Sequence, residues 1–284
     1  MRFSKFFASF LTLFLFLGAA LNAQTDVITA DEFMALSKSS DNVVVIDANT
    51  TKNYNASHIK DAVHVYHMDL YKDGDISGLI ETPEKLAAYF GNLGIAETTP
   101  VVITDDGTQK YNARVYWILK YLGAENVKVL HKDMNEWRNA RIPLTSTPAR
   151  TKPATFTPNV NPDIFADLAY VTENKDKENV VLVDCRTPEE FAGVKSSDGH
   201  IPGAINIDYV AFLTETGAFK TADEIKAIAE ANGITADTEV ILYCKTSVRA
   251  TPAFIALKNI LGLEKVRVYD GAYNEWAANY PVVQ

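Results

Sequence analysis

Hydrophobic positions along the chain fall into short unbroken runs rather than alternating with polar ones. "NVVVIDANT" at 42–50, "PVVITDDGTQ" from 100, "NVVLVDCRT" at 179–187 and "EVILYCKTSV" from 239 are each a β-branched run that ends at a polar or nucleophilic residue. Continuous apolar strands suit a sheet covered on both faces, so they predict parallel strands between helical layers. Longer segments with helical period lie between them, among them "TPEKLAAYFGNLGI" and "TADEIKAIAEANGI". Thr82 and Thr221 open these two helices, and Thr221 has Glu224 at the spacing of a capping box.

The pattern also repeats. "ASHIKDAVHV" from 56 returns as "DGHIPGAINI" from 198, and "NVKVLHKDMNEWRNARIPL" from 126 as "KVRVYDGAYNEWAANYPVV" from 265. Together with the strands, four blocks recur in the same order, and one constant offset carries Asp105 to Cys244 and Trp137 to Trp276. A tandem duplication of a small α/β unit is the reading, and a chain of 284 residues has room for two such cores. The Pro- and Thr-rich stretch 146–163 lacks period, which predicts an extended linker. The predicted organisation is 24–150 for the first domain, 151–163 for the linker and 164–284 for the second domain.

The first residues change the picture. Arg2 and Lys5 precede an apolar run of about sixteen residues, short of the roughly 20 that span a bilayer, and Gly18, Ala19, Ala20 and Ala23 follow. That order is a secretory signal peptide over 1–23, so the mature chain is expected in a periplasmic or extracellular compartment with no stable membrane span. The net charge is −9, and removing those residues takes two cations and no acid. Such an acidic chain excludes nucleic acid as a natural partner.

Candidate chemistry concentrates at Cys244. It ends an apolar strand, and Lys245, Thr246, Ser247 and Arg249 follow before a helical segment in which Pro252 is tolerable only in the first turn. Strand, loop and helix form a cradle of inward-turned amides at the carboxyl edge of a parallel sheet, a place for an anion. Cations and a helix start can lower a thiol from about 8.5 into roughly 3.5–7.5, which makes it a nucleophile. The other cysteine, Cys185, follows Asp184 at the end of the neighbouring predicted strand. It leaves three readings open: a structural disulfide, a redox partner for Cys244, or a small core residue. His58, His64, His67, His131 and His200 show no metal-ligand spacing, so no metal is expected. His58 and His200, equivalent in the repeat, are read as turn organisers.

In these motifs the chain resembles the two-domain rhodanese family of thiosulfate sulfurtransferases. The resemblance rests on "VDCRTPEEF", "GHIPGAINI", the loop "CKTSVR" and "VRVYDGAYNEW", and covers nearly all of the mature chain. It implies two tandem rhodanese-like domains, each a parallel sheet flanked by helices. The nucleophile lies in the second, and Asp105 holds the matching place in the first. It further implies that sulfur passes from thiosulfate to cyanide or a thiol through a Cys244 persulfide, with no cofactor. The amides of Lys245, Thr246, Ser247, Val248 and Arg249 would hold the persulfide, and Arg186, Lys245 and Arg249 would contact the donor. The partners implied are a small-molecule sulfur donor and acceptor, or a protein thiol as acceptor.

Three other activities compete with this one. A cysteine phosphatase would separate its cysteine and arginine by five residues, whereas Cys244 and Arg249 are separated by four. A 3-mercaptopyruvate sulfurtransferase would carry a small, uncharged loop, and the basic "CKTSVR" favours thiosulfate. Ser247 departs from both patterns, which have glycine there. A non-enzymatic sulfur carrier or partner-binding module is the third alternative.

Overall fold

The computed structural model describes residues 25–39, 42–131, 133–194 and 199–284. The predicted signal segment 1–23 lies outside the described residues.

The apolar runs form two five-stranded sheets, parallel throughout. The first contains β1 (Val27–Ile28), β2 (Val44–Asp47), β4 (Val63–His64), β5 (Val101–Thr104) and β6 (Val127–Leu130) in the order β1-β6-β5-β2-β4; between β2 and β4 in the chain, β3 (His58–Ile59) leaves the sheet to pair antiparallel with β7 (Leu144–Thr145). The second contains β8 (Phe165–Ala166), β9 (Val180–Asp184), β10 (Ile205–Asn206), β11 (Glu239–Tyr243) and β12 (Val266–Tyr269) in the order β8-β12-β11-β9-β10. The two orders superpose strand for strand, as a duplicated sequence requires. All four residues of β5 are buried, because helices cover both faces of its sheet. Each central strand, β5 or β11, delivers its next residue to the middle of the carboxyl edge, which places Asp105 and Cys244 in equivalent positions.

Local signals set the helix starts. The Thr82 hydroxyl accepts from Lys85 N, and Thr221 with Glu224 forms the reciprocal capping box that their spacing predicts. His58 and His200 also repeat their roles. His58 Nδ1 bonds Tyr54 O at 2.7 Å and its ring stacks on Tyr54, while His200 Nδ1 bonds Phe191 O at 3.0 Å and stacks on Phe191.

Stretch 146–161 has no regular element and lies along the first domain. Ala154 N donates to Gly91 O, Asn159 N to Leu122 O and Asn161 N to Tyr121 O. Gly123 makes this close approach feasible: its φ is +88°, and a Cβ there would stand 2.3 Å from Asn159 O.

The domains are joined by a buried ion pair. Arg114, on the helix Lys110–Tyr121 of the first domain, donates to Asp270 Oδ1 at 2.6 Å and to Gly78 O at 2.9 Å. The other Asp270 oxygen accepts from Ile80 N at 2.9 Å. Arg114 is fully buried, so the guanidinium has no solvent to replace its partner. Arg114→Met is therefore expected to lower stability by about 3–5 kcal/mol by stranding the Asp270 charge. In urea titrations the double variant Arg114→Met/Asp270→Leu should recover part of that loss.

Candidate active site

β11 ends at Tyr243, and Cys244 opens a six-residue loop that leads into the helix Ala250–Phe254. Pro252 falls in its first turn, where a missing N–H costs nothing. The chain continues as a π-helical segment over Ile255–Ile260. Cys244 is 1% exposed, and its Sγ accepts from the main-chain N–H of Arg249 at 3.2 Å. Thr246 is half-buried, whereas Ser247 and Val248 are buried. Lys245 is exposed beside them.

Ser247 explains how the loop closes on itself. Its φ is +60°, the left-handed region that favours glycine, and a non-glycine residue there carries a cost of about 1–3 kcal/mol. The serine offsets this with a bond that glycine cannot make, its Oγ donating to the Tyr269 carbonyl at the end of β12. The loop is thereby tied to the next strand of the sheet. From the other side Tyr273 N donates to Cys244 O at 2.9 Å.

Arg249 faces both Glu190 and the Cys244 sulfur. Its guanidinium clasps Glu190 with both nitrogens, Nη1 to Oε2 at 2.5 Å and Nη2 to Oε1 at 2.9 Å. Glu190 is aimed by a capping box, since the Thr187 hydroxyl accepts from Glu190 N and Glu190 Oε2 accepts from Thr187 N. The Arg249 clasp holds the Glu190 carboxyl below the usual carboxylate range against the opposing effect of burial. Burial works against the charge on Arg249, but Glu190 and then the Cys244 sulfur outweigh it, and the guanidinium stays charged. The sequence signal for this pair was Thr187 with Glu190 three residues on, a spacing that announces a cap and also presents a carboxylate to the loop.

The expectation for Arg186 is corrected. Along β9 the side chains alternate, so Asp184 and Arg186 share the face opposite Cys185. Arg186 is fully buried there: Nε and Nη2 donate to Asp184, Nη2 also donates to Gly199 O at 2.8 Å, and the guanidinium lies 4.1 Å from the centre of the Tyr273 ring. Cys244 packs on the other face, in the core with Val183 and Leu242. Arg186 thus ties the "GHIPGA" turn to the strand, on the face opposite Cys244.

The first domain covers the loop. An ideal Cβ on Gly78 would stand 2.7 Å from Thr246 Cβ, and Asn274 Nδ2 donates to Ser77 O at 3.4 Å. Tyr71, beside Arg114, has its phenol pushed up to about 12, first by burial, with the Cys244 sulfur among the charges acting on it. A groove of about 430 Å³ runs between the domains past Asp106, Met134, Tyr209 and Glu215, and Cys244 does not line it. Among the described residues no group of three His, Cys, Asp or Glu is placed to hold a metal ion.

At the equivalent place in the first domain, Asp105 fills the cradle with its own carboxylate. It accepts from Gly107 N at 2.7 Å, Tyr111 N at 3.2 Å and Gln109 N at 3.4 Å. A ring of amides built for an anion is closed to one from outside.

The fold and site define a class: a duplicated parallel α/β protein in which one copy carries a cysteine in an amide loop and the other a carboxylate. The chain belongs to the rhodanese family, matching the Rhodanese-like domain over residues 29–140 and again over 167–279. It is 34% identical over 203 residues to the thiosulfate sulfurtransferase of Rattus norvegicus, covering 68% of each chain. It is 31% identical over 238 residues to the sulfur carrier protein TtuD of Thermus thermophilus, covering 78% of this chain and 83% of that protein. Among solved structures, the 3-mercaptopyruvate sulfurtransferase SseA of Escherichia coli superposes with a TM-score of 0.79 at 25% identity, covering 88% of this chain and 99% of that one.

Burial, and then the neighbouring Asp106, push the Asp105 carboxyl up to about 6 from an ordinary 3.8. An acid whose folded value is raised holds its proton longer in the folded state, so it stabilises the fold below about pH 4 and loses that contribution as pH rises to about 6. Asp105→Asn should therefore flatten the fall in melting temperature between these two pH values. The wild-type excess slope should correspond to about 2–3 kcal/mol, read by calorimetry of both proteins across the window.

Proposed function

We propose that the protein is a rhodanese-type sulfurtransferase that takes a sulfane sulfur from thiosulfate as a Cys244 persulfide and delivers it to cyanide or a thiol. The observation that carries this reading is the Cys244 sulfur held by a main-chain N–H in a short, closed loop at the sheet edge. The family's thiosulfate-using members support the choice of donor.

The Cys244 thiolate attacks the outer sulfur of thiosulfate, the S–S bond of the donor breaks, and sulfite leaves with the electron pair. The persulfide anion then lies among the loop amides, whose N–H groups stabilise charge where it develops. An acceptor attacks the outer sulfur and the Cys244 thiolate returns. Arg249, shared between Glu190 and the sulfur, and exposed Lys245 are the loop cations that draw a dianion to the mouth.

A second reading, 3-mercaptopyruvate as donor, rests on the Glu190 clasp, which lowers the net positive charge of the loop and so also admits a monoanion. The similarity to SseA supports it. In either case the sulfur passes through Cys244, as it would in a sulfur carrier.

The site of action belongs to the same proposal. The order of cations, apolar run and small residues in 1–23 supports export to a periplasmic or extracellular space. Among the described residues no helix is long and apolar enough to cross a membrane. Sequencing the N-terminus of protein recovered from the producing cells should read from Gln24; a chain that retains Met1–Ala23 would overturn export with cleavage.

Steady-state assays with cyanide as acceptor should give a higher kcat/KM for thiosulfate than for 3-mercaptopyruvate. Cys244→Ser should abolish transfer from both, and retained transfer would overturn the reading. Arg249→Ala should lower kcat/KM by about 10- to 100-fold, the loss of one charge-assisted contact worth about 1.5–3 kcal/mol. Unchanged kinetics would remove its side chain from the site.

A further inference from the structure

Cys185 and Cys244 are neighbours in the sheet. β9 and β11 pair with Asp184 opposite Tyr243, and Cys185 N donates to Tyr243 O at 2.8 Å. The ladder therefore runs on through Cys185, and the next residue of the facing chain is Cys244. Alternation sends both side chains to the same face, into the core that holds Val183 and Leu242. Both are free thiols.

Adjacent strands lie about 4.8 Å apart, inside the separation of about 4.4–6.8 Å that disulfides span between Cα atoms. Cys244 is the first residue past its strand, so its Cβ can close the remaining gap without breaking a ladder hydrogen bond within β11.

A persulfide on Cys244 has two sulfurs open to attack. Acceptors from outside reach the outer one, whereas the register places Cys185 beside the residue that carries the inner one, on the same face of the sheet. We propose that Cys185 is an internal thiol that discharges a Cys244 persulfide when no acceptor claims it. The step rests on the persulfide reading above. The Cys185 sulfur attacks Cys244 Sγ, a Cys185–Cys244 bond forms, the bond to the outer sulfur breaks, and that sulfur leaves with the electron pair as hydrosulfide. The proton of the Cys185 thiol goes to solvent or to the departing sulfide. The sulfane sulfur is reduced by two electrons, and the two cysteines together supply them. An external dithiol then reduces the disulfide and restores both thiols.

Burial explains why such a device would not compete with normal delivery. The Cys185 thiol is pushed well above its ordinary value, first by burial and then by the Cys244 sulfur, so its thiolate is scarce and the internal attack slow. An acceptor that is present takes the sulfur first. Without one, the sulfur leaves as sulfide and both cysteines are stored as a disulfide, beyond the reach of irreversible oxidation.

The test uses the full chain, reduced and freed of reductant, incubated anaerobically with excess thiosulfate and no acceptor. Sulfite, sulfide and the mass of the intact protein are measured. The wild type should release one sulfite and one sulfide per chain and end lighter by two hydrogens, with a Cys185–Cys244 cross-linked peptide in the digest. Cys185→Ala, with Cys185→Ser as the second variant, should release the same sulfite but background sulfide and end heavier by one sulfur. A wild type that keeps the added sulfur and releases no sulfide overturns the inference, as does sulfide release unchanged in both variants. Absence of sulfite from the wild type would instead overturn the persulfide reading, and this inference with it.

Discussion

The contact on which the site depends is the one between the Arg249 main-chain N–H and the Cys244 sulfur. A sulfur at the end of a buried strand has no water to stabilise negative charge, so an amide must do so. For Arg249 to present its N–H inward, the chain must turn back on itself within six residues. Ser247 makes that turn in a conformation serine adopts at a cost, and its bond to the Tyr269 carbonyl offsets it. Glu190 holds the Arg249 side chain beside the loop while the main chain of the same residue donates to the sulfur. One residue serves both directions because its backbone and side chain are separately anchored.

The duplicated halves show what the cradle is for by using it differently. In the first domain the cradle amides close on the Asp105 carboxylate, an anion built into the chain. In the second the Arg249 amide closes on the Cys244 sulfur. The copy without the cysteine is not inert, because its turn at Ser77–Gly78 and its helix Lys110–Tyr121 supply the cover of the Cys244 loop. Gly78 rests against Thr246, and Arg114 holds Asp270 just past β12. Burial of the Arg114–Asp270 pair makes the arrangement costly to break, which fixes the cover in place.

Much of this was legible in the residues. Unbroken apolar runs gave parallel strands, because only a sheet covered on both faces tolerates them, and the repeated blocks gave two copies in matching order. The Cys244 loop stood out because cations and hydroxyls follow the end of a core strand. Arg186 was misread because its motif was weighed without the two-residue period of its strand, which sends it to the face opposite Cys185 and Cys244. Glu190 was not singled out, because only the fold brings it to Arg249, 59 residues on. The Arg114–Asp270 pair joins residues 156 apart, and neither local pattern nor composition carries that information. Ser247 looked like a defect in the motif until its partner, the Tyr269 carbonyl, was in view.

The central claim is that sulfur rests covalently on Cys244 between two separate half-reactions. Initial velocities measured over a grid of thiosulfate and cyanide concentrations test it most directly. The account predicts parallel lines in double-reciprocal plots, since sulfite departs before cyanide reacts. Lines converging to the left of the axis would mean that donor and acceptor must be bound together, and would contradict it.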